Sequence, residues 1–370
     1  MFGGGGINIK ELLVLALKYE ASDIHISVGK PPCFRVNGEL KFFDDPYIQR
    51  QWELLPEYAV FLTDEQIDLM LRDITCENQY DSFKSNLDID FSYEMANGMR
   101  FRVNAYHQQG HPTIAIRLIR SEIYTLKELG LPLILESLAK KNGGLVLITG
   151  PAGNGKSSTL VTLIDYINEN FSKHIITLED PIEFVHNRKK SLINQREIGK
   201  DSHSFASALR AAMREDPDVI LVGEMRDAET IATAITAAET GHLVFGTLHT
   251  LNASQTIERI IDVFWPQQQQ QIRAQLANTL QGVVAQQLIP RIDGAGRVLA
   301  VEIMLATPAI RNLIREGKTF QLINQIQTGV KFGMQTLDMS LKELYKANVI
   351  SLEEVLNRSL DPEAVQRNLG

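Results

Sequence analysis

The sequence predicts an α/β chain of two domains. A small α+β domain comes first, then a parallel sheet packed between helices, then a helical C-terminal region. Three observations lead there. The 370 residues exceed the usual span of one domain. Short alternating segments and hairpin signals dominate up to Ile119. After Ser121, apolar runs of four or five residues alternate with helical segments, the pattern of parallel strands covered on both faces. The expected divisions are 1–120, a linker and domain start at 121–143, a sheet core at 144–265 and a helical subdomain at 266–370. A hydrophobic share of 44% and a charged share of 22% exclude a disordered or collagen-like chain.

The elements follow in order. Apolar residues at 9, 12, 13, 16 and 17 make one helical stripe. Asp23 to Val28 alternates as a strand, and Cys33 to Val36 runs into an Asn37-Gly38 hairpin turn. Residues 41 to 62 show no clean period and are expected to be a surface elaboration. Residues 64 to 73 return to a helical pattern. Asp88 to Ile119 is strand-rich, with a turn at Asn97-Gly98. There Phe101, Val103 and Ala105 share one strand face, and Arg100, Arg102 and Asn104 share the other. Thr113 to Ile119 makes a further strand and carries Arg117.

Thr125 to Lys141 is expected to be mainly helical. Leu145–Thr149, Ile175–Leu178, Val219–Val222 and Leu243–Thr247 are the apolar strands. From Pro266 onward the chain reads as nearly all helix, with Gln267 to Gln271 as a solvated helix start.

Charge and cysteine usage narrow the classes. Lys and Arg number 37 against 45 Asp and Glu, a net charge of −8, which argues against sequence-blind nucleic-acid binding. Cys33 and Cys76 are too few for a four-thiolate zinc site or a disulfide framework, and both are expected as reduced thiols in a cytosolic protein. Gly3 to Gly6 suggests a flexible leader rather than a secretory signal. No run approaches the ~20 apolar residues of a membrane span.

The strongest chemical signal is Gly150-Pro151-Ala152-Gly153-Asn154-Gly155-Lys156-Ser157, followed by Ser158. It matches G-x-x-x-x-G-K-[ST], with an apolar strand before it and a helical run after. Such a loop turns backbone N–H groups and a helix N-terminus toward phosphate. Lys156 supplies a point charge for the β- and γ-phosphates, and Ser157 a hydroxyl for Mg²⁺. ATP with Mg²⁺ is therefore the expected ligand.

Hydrolysis needs carboxylates near the γ-phosphate, one for the metal and one for the attacking water. Glu179-Asp180-Pro181-Ile182-Glu183 follows one apolar strand; the alternative there is a solvated turn. Gly223-Glu224 ends another, so Glu224 stands where an aspartate is more usual and would act on the metal through water. Its alternative is a first-turn helix acid. His249 follows a third strand, as a γ-phosphate sensor or as a structural hydrogen bonder. The strand-end placement favours the first. His242, after Gly241, supports a weaker form of the same reading.

These residues resemble the nucleotide-site boxes of the secretion and type IV pilus ATPases. The segments are the phosphate loop, Leu178 to His186, Gly223 to Asp227, Ala238 to His242 and Gly246 to Thr250. Within that superfamily the chain is most similar to the type IV pilus retraction (PilT) family. Ala309-Ile310-Arg311-Asn312-Leu313-Ile314-Arg315 resembles that family's C-terminal retraction motif. The resemblance implies a homohexameric, ATP-hydrolysing motor for pilus retraction and twitching motility. Its subunit would have a PAS-like N-terminal domain and a RecA-like P-loop domain, and it would work at the cytoplasmic face of the inner membrane. The partner would be an inner-membrane platform protein, with pilin machinery reached indirectly, membrane association only through partners, and no nucleic acid.

The resemblance also assigns roles. Glu183 resembles the catalytic base, Glu224 the Walker B acid, and His249 and His242 the histidines of the His box. Arg100, Arg102 and Arg117 resemble arginines that reach toward nucleotide; the alternative is a solvated hairpin face. The motif at 309–315 implies coupling to retraction; the alternative is an ordinary packing helix.

Departures from the family pattern are Ala152 and Asn154 in the loop, Gly143 where a basic residue is common, and the longer segment 41–62. Other functions compatible with the motifs are an accessory retraction paralogue, a pilus-assembly or type II secretion ATPase, and a RecA-type nucleic-acid motor. Assembly relatives usually carry a four-cysteine metal insertion, which Cys33 and Cys76 cannot build. The net charge of −8 weighs against the nucleic-acid motor.

Overall fold

The computed structural model describes residues 7–54, 58–119, 123–360 and 362–367; the glycine leader lies outside them. The chain forms two compact units, divided between Ser121 and Glu122.

The first unit opens with α1 (Ile9–Lys18), held at its start by a capping box between Asn8 and Glu11. It buries Ile9, Leu12, Leu13 and Ala16, the stripe that helical periodicity predicts. Then come β1 (Asp23–Ser27), β2 (Cys33–Val36), β3 (Glu39–Phe42), α2 (Pro46–Gln51), α3 (Asp64–Arg72), α4 (Glu77–Asn86), β4 (Asp88–Glu94), β5 (Arg100–Gln108) and β6 (His111–Ile119). The strands pair antiparallel in the order β3-β2-β1-β6-β5-β4.

Segment 41–62 is more than surface decoration. Phe43, Ile48, Trp52, Leu54 and Leu62 are buried in this unit's core. Trp52 stacks on Tyr19 with ring centroids 4.4 Å apart. Its aromatic residues follow no period because they fill gaps from turns and one short helix. Residues 55–57 fall outside the described chain.

The second unit holds α5 (Ile134–Ala139), β7 (Gly144–Thr149), α6 (Lys156–Asn170), β8 (His174–Glu179), β9 (Leu192–Glu197), α7 (Phe205–Ala212), β10 (Val219–Val222), α8 (Ala228–Glu239) and β11 (Leu243–Leu248). It continues with α9 (Ala253–Asp262), α10 (Pro266–Thr279), β12 (Leu280–Pro290), β13 (Arg297–Leu305), α11 (Pro308–Arg315), α12 (Leu322–Thr328), α13 (Leu337–Lys346), α14 (Leu352–Arg358) and α15 (Pro362–Arg367). The sheet order is β13-β12-β7-β11-β10-β8-β9, parallel except for the antiparallel β13 edge.

β7, β10 and β11 are buried along their whole length, which is why they read as unbroken apolar runs. Leu145, Leu147, Ile220 and Val222 pack toward α8, α9 and α10. Val146, Ile148, Leu221 and Phe245 pack toward α5 and α6. Burying one such side chain contributes roughly 1.5–3 kcal/mol.

Two expectations are corrected here. The region after Pro266 is not nearly all helix, because β12 and β13 form a long hairpin that extends the sheet. Glutamines in β12 mask its apolar content, and Gly294 and Gly296 mark the turn. Thr125 to Lys141 is helical only over Ile134–Ala139. The approach to it is made of turns, with Thr125 and Glu128 bonded to each other. Among the described residues no helix is long and apolar enough to cross a membrane.

Candidate functional site

Four neighbouring parallel strands, β7, β11, β10 and β8, end along one sheet edge. Adjacent strands lie about 4.8 Å apart, so residues just past their ends share one crevice. β7 delivers the phosphate loop, β11 delivers His249, β10 delivers Glu224, and β8 delivers Glu179 and the loop that carries Glu183.

The phosphate loop is clamped onto β12. Gly150 has φ +145°, and a Cβ there would sit 2.3 Å from the Gln286 carbonyl oxygen, so only glycine fits. Asn154 Oδ1 accepts the Leu288 N–H at 2.8 Å, and Gln286 Nε2 donates to the Asn154 carbonyl at 2.7 Å. β7 pairs with β12 only as far as Ala285. Beyond that point the Asn154 side chain takes the place of a strand partner. This departure from the family pattern thus fastens the loop to the sheet. α6 begins at Lys156 with no side-chain cap, which leaves its first N–H groups to face an anion.

Lys156 Nζ donates to the Gly150 and Pro151 carbonyls at 2.7 and 3.0 Å. It lies 3.3 Å from His249 Nδ1, and His249 Nε2 lies 2.9 Å from Glu224 Oε1. Burial lowers the Lys156 pKa below its ordinary value, and Glu224 opposes the shift. Arg226 forms an ion pair with the same Glu224 oxygen. The alternative of a first-turn helix acid does not hold for Glu224. Asp227 caps α8, accepting the Thr230 N–H at 2.8 Å, and Glu224 stays in the strand-end turn. The Thr247 hydroxyl donates to the Gly223 carbonyl, and Met225 N–H donates to Thr247 O at 3.1 Å, which fixes the β10 and β11 ends together.

Glu183 is half-buried in the loop from β8 to β9. That loop is fastened at its far end by Asn168 of α6. Asn168 donates to Asn187 O at 2.8 Å and accepts from Lys189 and Ser191 N–H at 3.2 and 3.3 Å. Ser157 and Ser158 open α6, with Ser157 exposed.

His242 does not join this set. It precedes β11, whereas His249 follows it, so the two histidines stand at opposite ends of one strand. The His242 ring nitrogen Nδ1 lies 2.9 Å from Ala237 O and 3.1 Å from Thr240 Oγ1, closing the end of α8. Gly143 lies at the same far edge. A Cβ there would meet the Gly241 carbonyl at 2.8 Å, so the close approach of two backbones excludes a side chain.

The three arginines belong to the first unit. Arg102 and Arg117 face each other in register across β5 and β6. Arg102 is paired with Asp90, Arg117 with Asp23 at 2.9 Å, and Arg100 donates to Ser92 Oγ at 2.9 Å. The motif helix α11 buries Ile310 and Ile314 and half-buries Leu313, while Ala309, Asn312 and Arg315 face outward. Arg311 points inward and donates to the carbonyls of Ala306, Ala277 and Asn278, binding α11 to the end of α10.

Sequence reasoning missed Asn168, Gln195, Glu197 and Gln286. None belongs to a nucleotide-site motif, and their contacts form only once distant segments meet.

A phosphate loop entering a helix, with acids and a histidine at adjacent ends of a parallel sheet, defines a P-loop nucleotide-binding protein. Comparison places it more narrowly: residues 7–302 match the Type II/IV secretion system protein family, and the chain belongs to it. It is 47% identical over 357 residues to the type IV pilus retraction ATPase PilT of Pseudomonas aeruginosa, covering 96% of this chain and 99% of that one. A twitching motility protein of Neisseria gonorrhoeae is 46% identical over 334 residues, covering 90% of this chain and 86% of its own. A crystal structure of the pilus retraction motor PilT with bound ADP superposes with a TM-score of 0.88 at 45% identity, covering 98% of this chain and 99% of that one. The α/β fold, an antiparallel-sheet unit followed by a parallel-sheet unit, is the one shared with that motor.

Proposed function

We propose that this chain is an ATP-hydrolysing motor that powers type IV pilus retraction, acting as a homohexamer at the cytoplasmic face of the inner membrane. The observation that carries the reading is the contact chain Lys156–His249–Glu224 across the ends of β7, β11 and β10. It joins the phosphate-binding cation to the metal-site acid through one imidazole. Likeness to proteins named for pilus retraction and twitching motility supports the choice of machine.

In this mechanism Lys156 exchanges its contacts with Gly150 and Pro151 for the β- and γ-phosphate oxygens. The free N–H groups at the start of α6 receive the remaining phosphate charge. Ser157 and Glu224 would hold Mg²⁺. The exposed Ser157 hydroxyl is a hard oxygen donor for the metal itself, and the strand-end Glu224 carboxylate would act through a water of its shell. When bound, Mg²⁺ neutralises phosphate charge. Glu183 takes the proton of the attacking water, and His249 reports the presence of the γ-phosphate to Glu224. Arg100, Arg102 and Arg117 keep, in this reading, the role of phosphate-binding arginines that the resemblance implies, for which a planar, permanently charged guanidinium is suited.

The outward face of α11 carries the coupling to an inner-membrane platform protein, and through it to the pilin machinery. In this reading His242 serves to close the end of α8, through Ala237 and Thr240. An accessory retraction paralogue is the nearest second reading. Retraction in cells that carry the Lys156→Ala chain tests the function. Retraction at the normal rate would exclude the motor role.

A further inference from the structure

We propose that Gln195 is a positioning residue for hydrolysis, holding Glu183 in place through the backbone that carries it. The proposal rests on the reading of Glu183 as the base.

Gln195 lies on β9 at the sheet edge, and its side-chain amide reaches back to the loop that connects β8 to β9. Its Nε2 donates to Phe184 O at 2.7 Å, and its Oε1 accepts the His186 N–H at 2.9 Å. These are the two backbone groups that a neighbouring antiparallel strand would take around Val185. The amide therefore imposes one backbone path on the loop at this point. The second N–H of Nε2 donates to Glu179 Oε1 at 3.1 Å, and Thr177 Oγ1 donates to the same oxygen at 2.6 Å. Two acceptors on one side and one donor on the other fix which end of the amide is which.

Two residues along, on the same face of β9, Glu197 is buried and its Oε2 accepts the Ile182 N–H at 3.1 Å. Glu183 thus sits between two peptide groups that are both held by β9. No side chain other than a primary amide of this length offers a donor and an acceptor in that geometry. Glutamate accepts from His186 but cannot donate to Phe184, and it faces Glu179 with like charge.

The test compares Gln195→Ala, Gln195→Glu, Glu183→Gln and the double variant Gln195→Ala/Glu183→Gln, each in the full chain. Steady-state kcat and KM for ATP, affinity for a fluorescent ATP analogue, and thermal unfolding are measured. Gln195→Ala and Gln195→Glu are expected to lower kcat on the order of 10- to 100-fold, with KM and analogue affinity within about twofold. In the Glu183→Gln background, Gln195→Ala is expected to cause no further loss, because it acts through Glu183.

Wild-type kcat in either Gln195 variant overturns the proposal. So does a full additional loss in the double variant. If Gln195→Ala unfolds, the near-isosteric Gln195→Glu carries the comparison alone. Turnover retained by Glu183→Gln overturns the reading of Glu183, and the proposal with it. An inactive Glu183→Gln beside a fully active Gln195→Ala overturns the proposal alone.

Discussion

His249 stands between Lys156 and Glu224, its Nδ1 3.3 Å from the ammonium and its Nε2 2.9 Å from the carboxylate. An ammonium can only donate and a carboxylate can only accept, so the ring is placed to take a hydrogen bond from Lys156 at Nδ1 and to give one to Glu224 from Nε2. The two neighbours set which way the ring faces. Removing it breaks the link while leaving the phosphate loop whole. His249→Ala is expected to lower kcat about 100-fold while affinity for ATP changes little. Steady-state kinetics beside nucleotide binding measure the split; equal losses in both would mean that His249 serves binding.

Asn154 ties the phosphate loop to β12 through the Leu288 N–H. Serine is one atom too short to accept that bond. Asn154→Ser is expected to cost about 1 kcal/mol of loop order, seen as a roughly fivefold weaker affinity for ATP with kcat nearly unchanged. Titration with a fluorescent nucleotide measures it. An unchanged affinity would show that the loop is held by Gln286 and Gly150 alone.

The buried His186 gives a pH signature. Burial pulls its pKa down to about 4 from 6.5, while Asp165 pulls the other way and Lys189 adds to the lowering. The unfolded chain therefore binds this proton before the folded chain does, and stability falls as pH drops from about 6.5 to about 4. Between pH 7 and pH 5 the loss from this group is about 2 kcal/mol. Chemical unfolding at both pH values is expected to show that much less acid sensitivity in His186→Leu than in wild type. Equal sensitivity would place the proton elsewhere.

Arg311 separates structure from coupling within α11. Its guanidinium is spent on three carbonyls, and burial, with Arg315 nearby, lowers its pKa. Arg311→Ala is expected to destabilise the second unit by about 2–3 kcal/mol, lowering the melting temperature by roughly 5–10 °C. An Arg311→Ala/Leu313→Ala chain therefore does not isolate coupling. The outward Ala309 does: Ala309→Glu is expected to keep ATP hydrolysis and stability while stopping retraction. Retraction at the wild-type rate in that variant would remove the outward face of α11 from the coupling path.

What was legible in the sequence follows from burial. β7, β10 and β11 are enclosed on both faces and so announce themselves as apolar runs, and the residues just past them are the site. β9, with Leu-Ile-Asn-Gln-Arg-Glu at an edge, has no such run, and two of its polar side chains, Gln195 and Glu197, serve the Glu183 loop. β12 carries three glutamines, two of which, Gln281 and Gln286, bond to Gly143 and to the phosphate loop. The same contacts hid these strands and made them useful. His249 and His242 look alike in sequence, since each adjoins one end of the same strand. Only the direction of β11 separates them.

The most direct measurement is steady-state ATP hydrolysis by the wild-type chain beside Glu224→Gln and Lys156→Ala, with the mass of each in solution. A hexamer that turns over ATP, and loses turnover in both variants, is the predicted result. A monomer or dimer that binds ATP without turning it over would contradict the motor and leave a nucleotide-gated switch in its place.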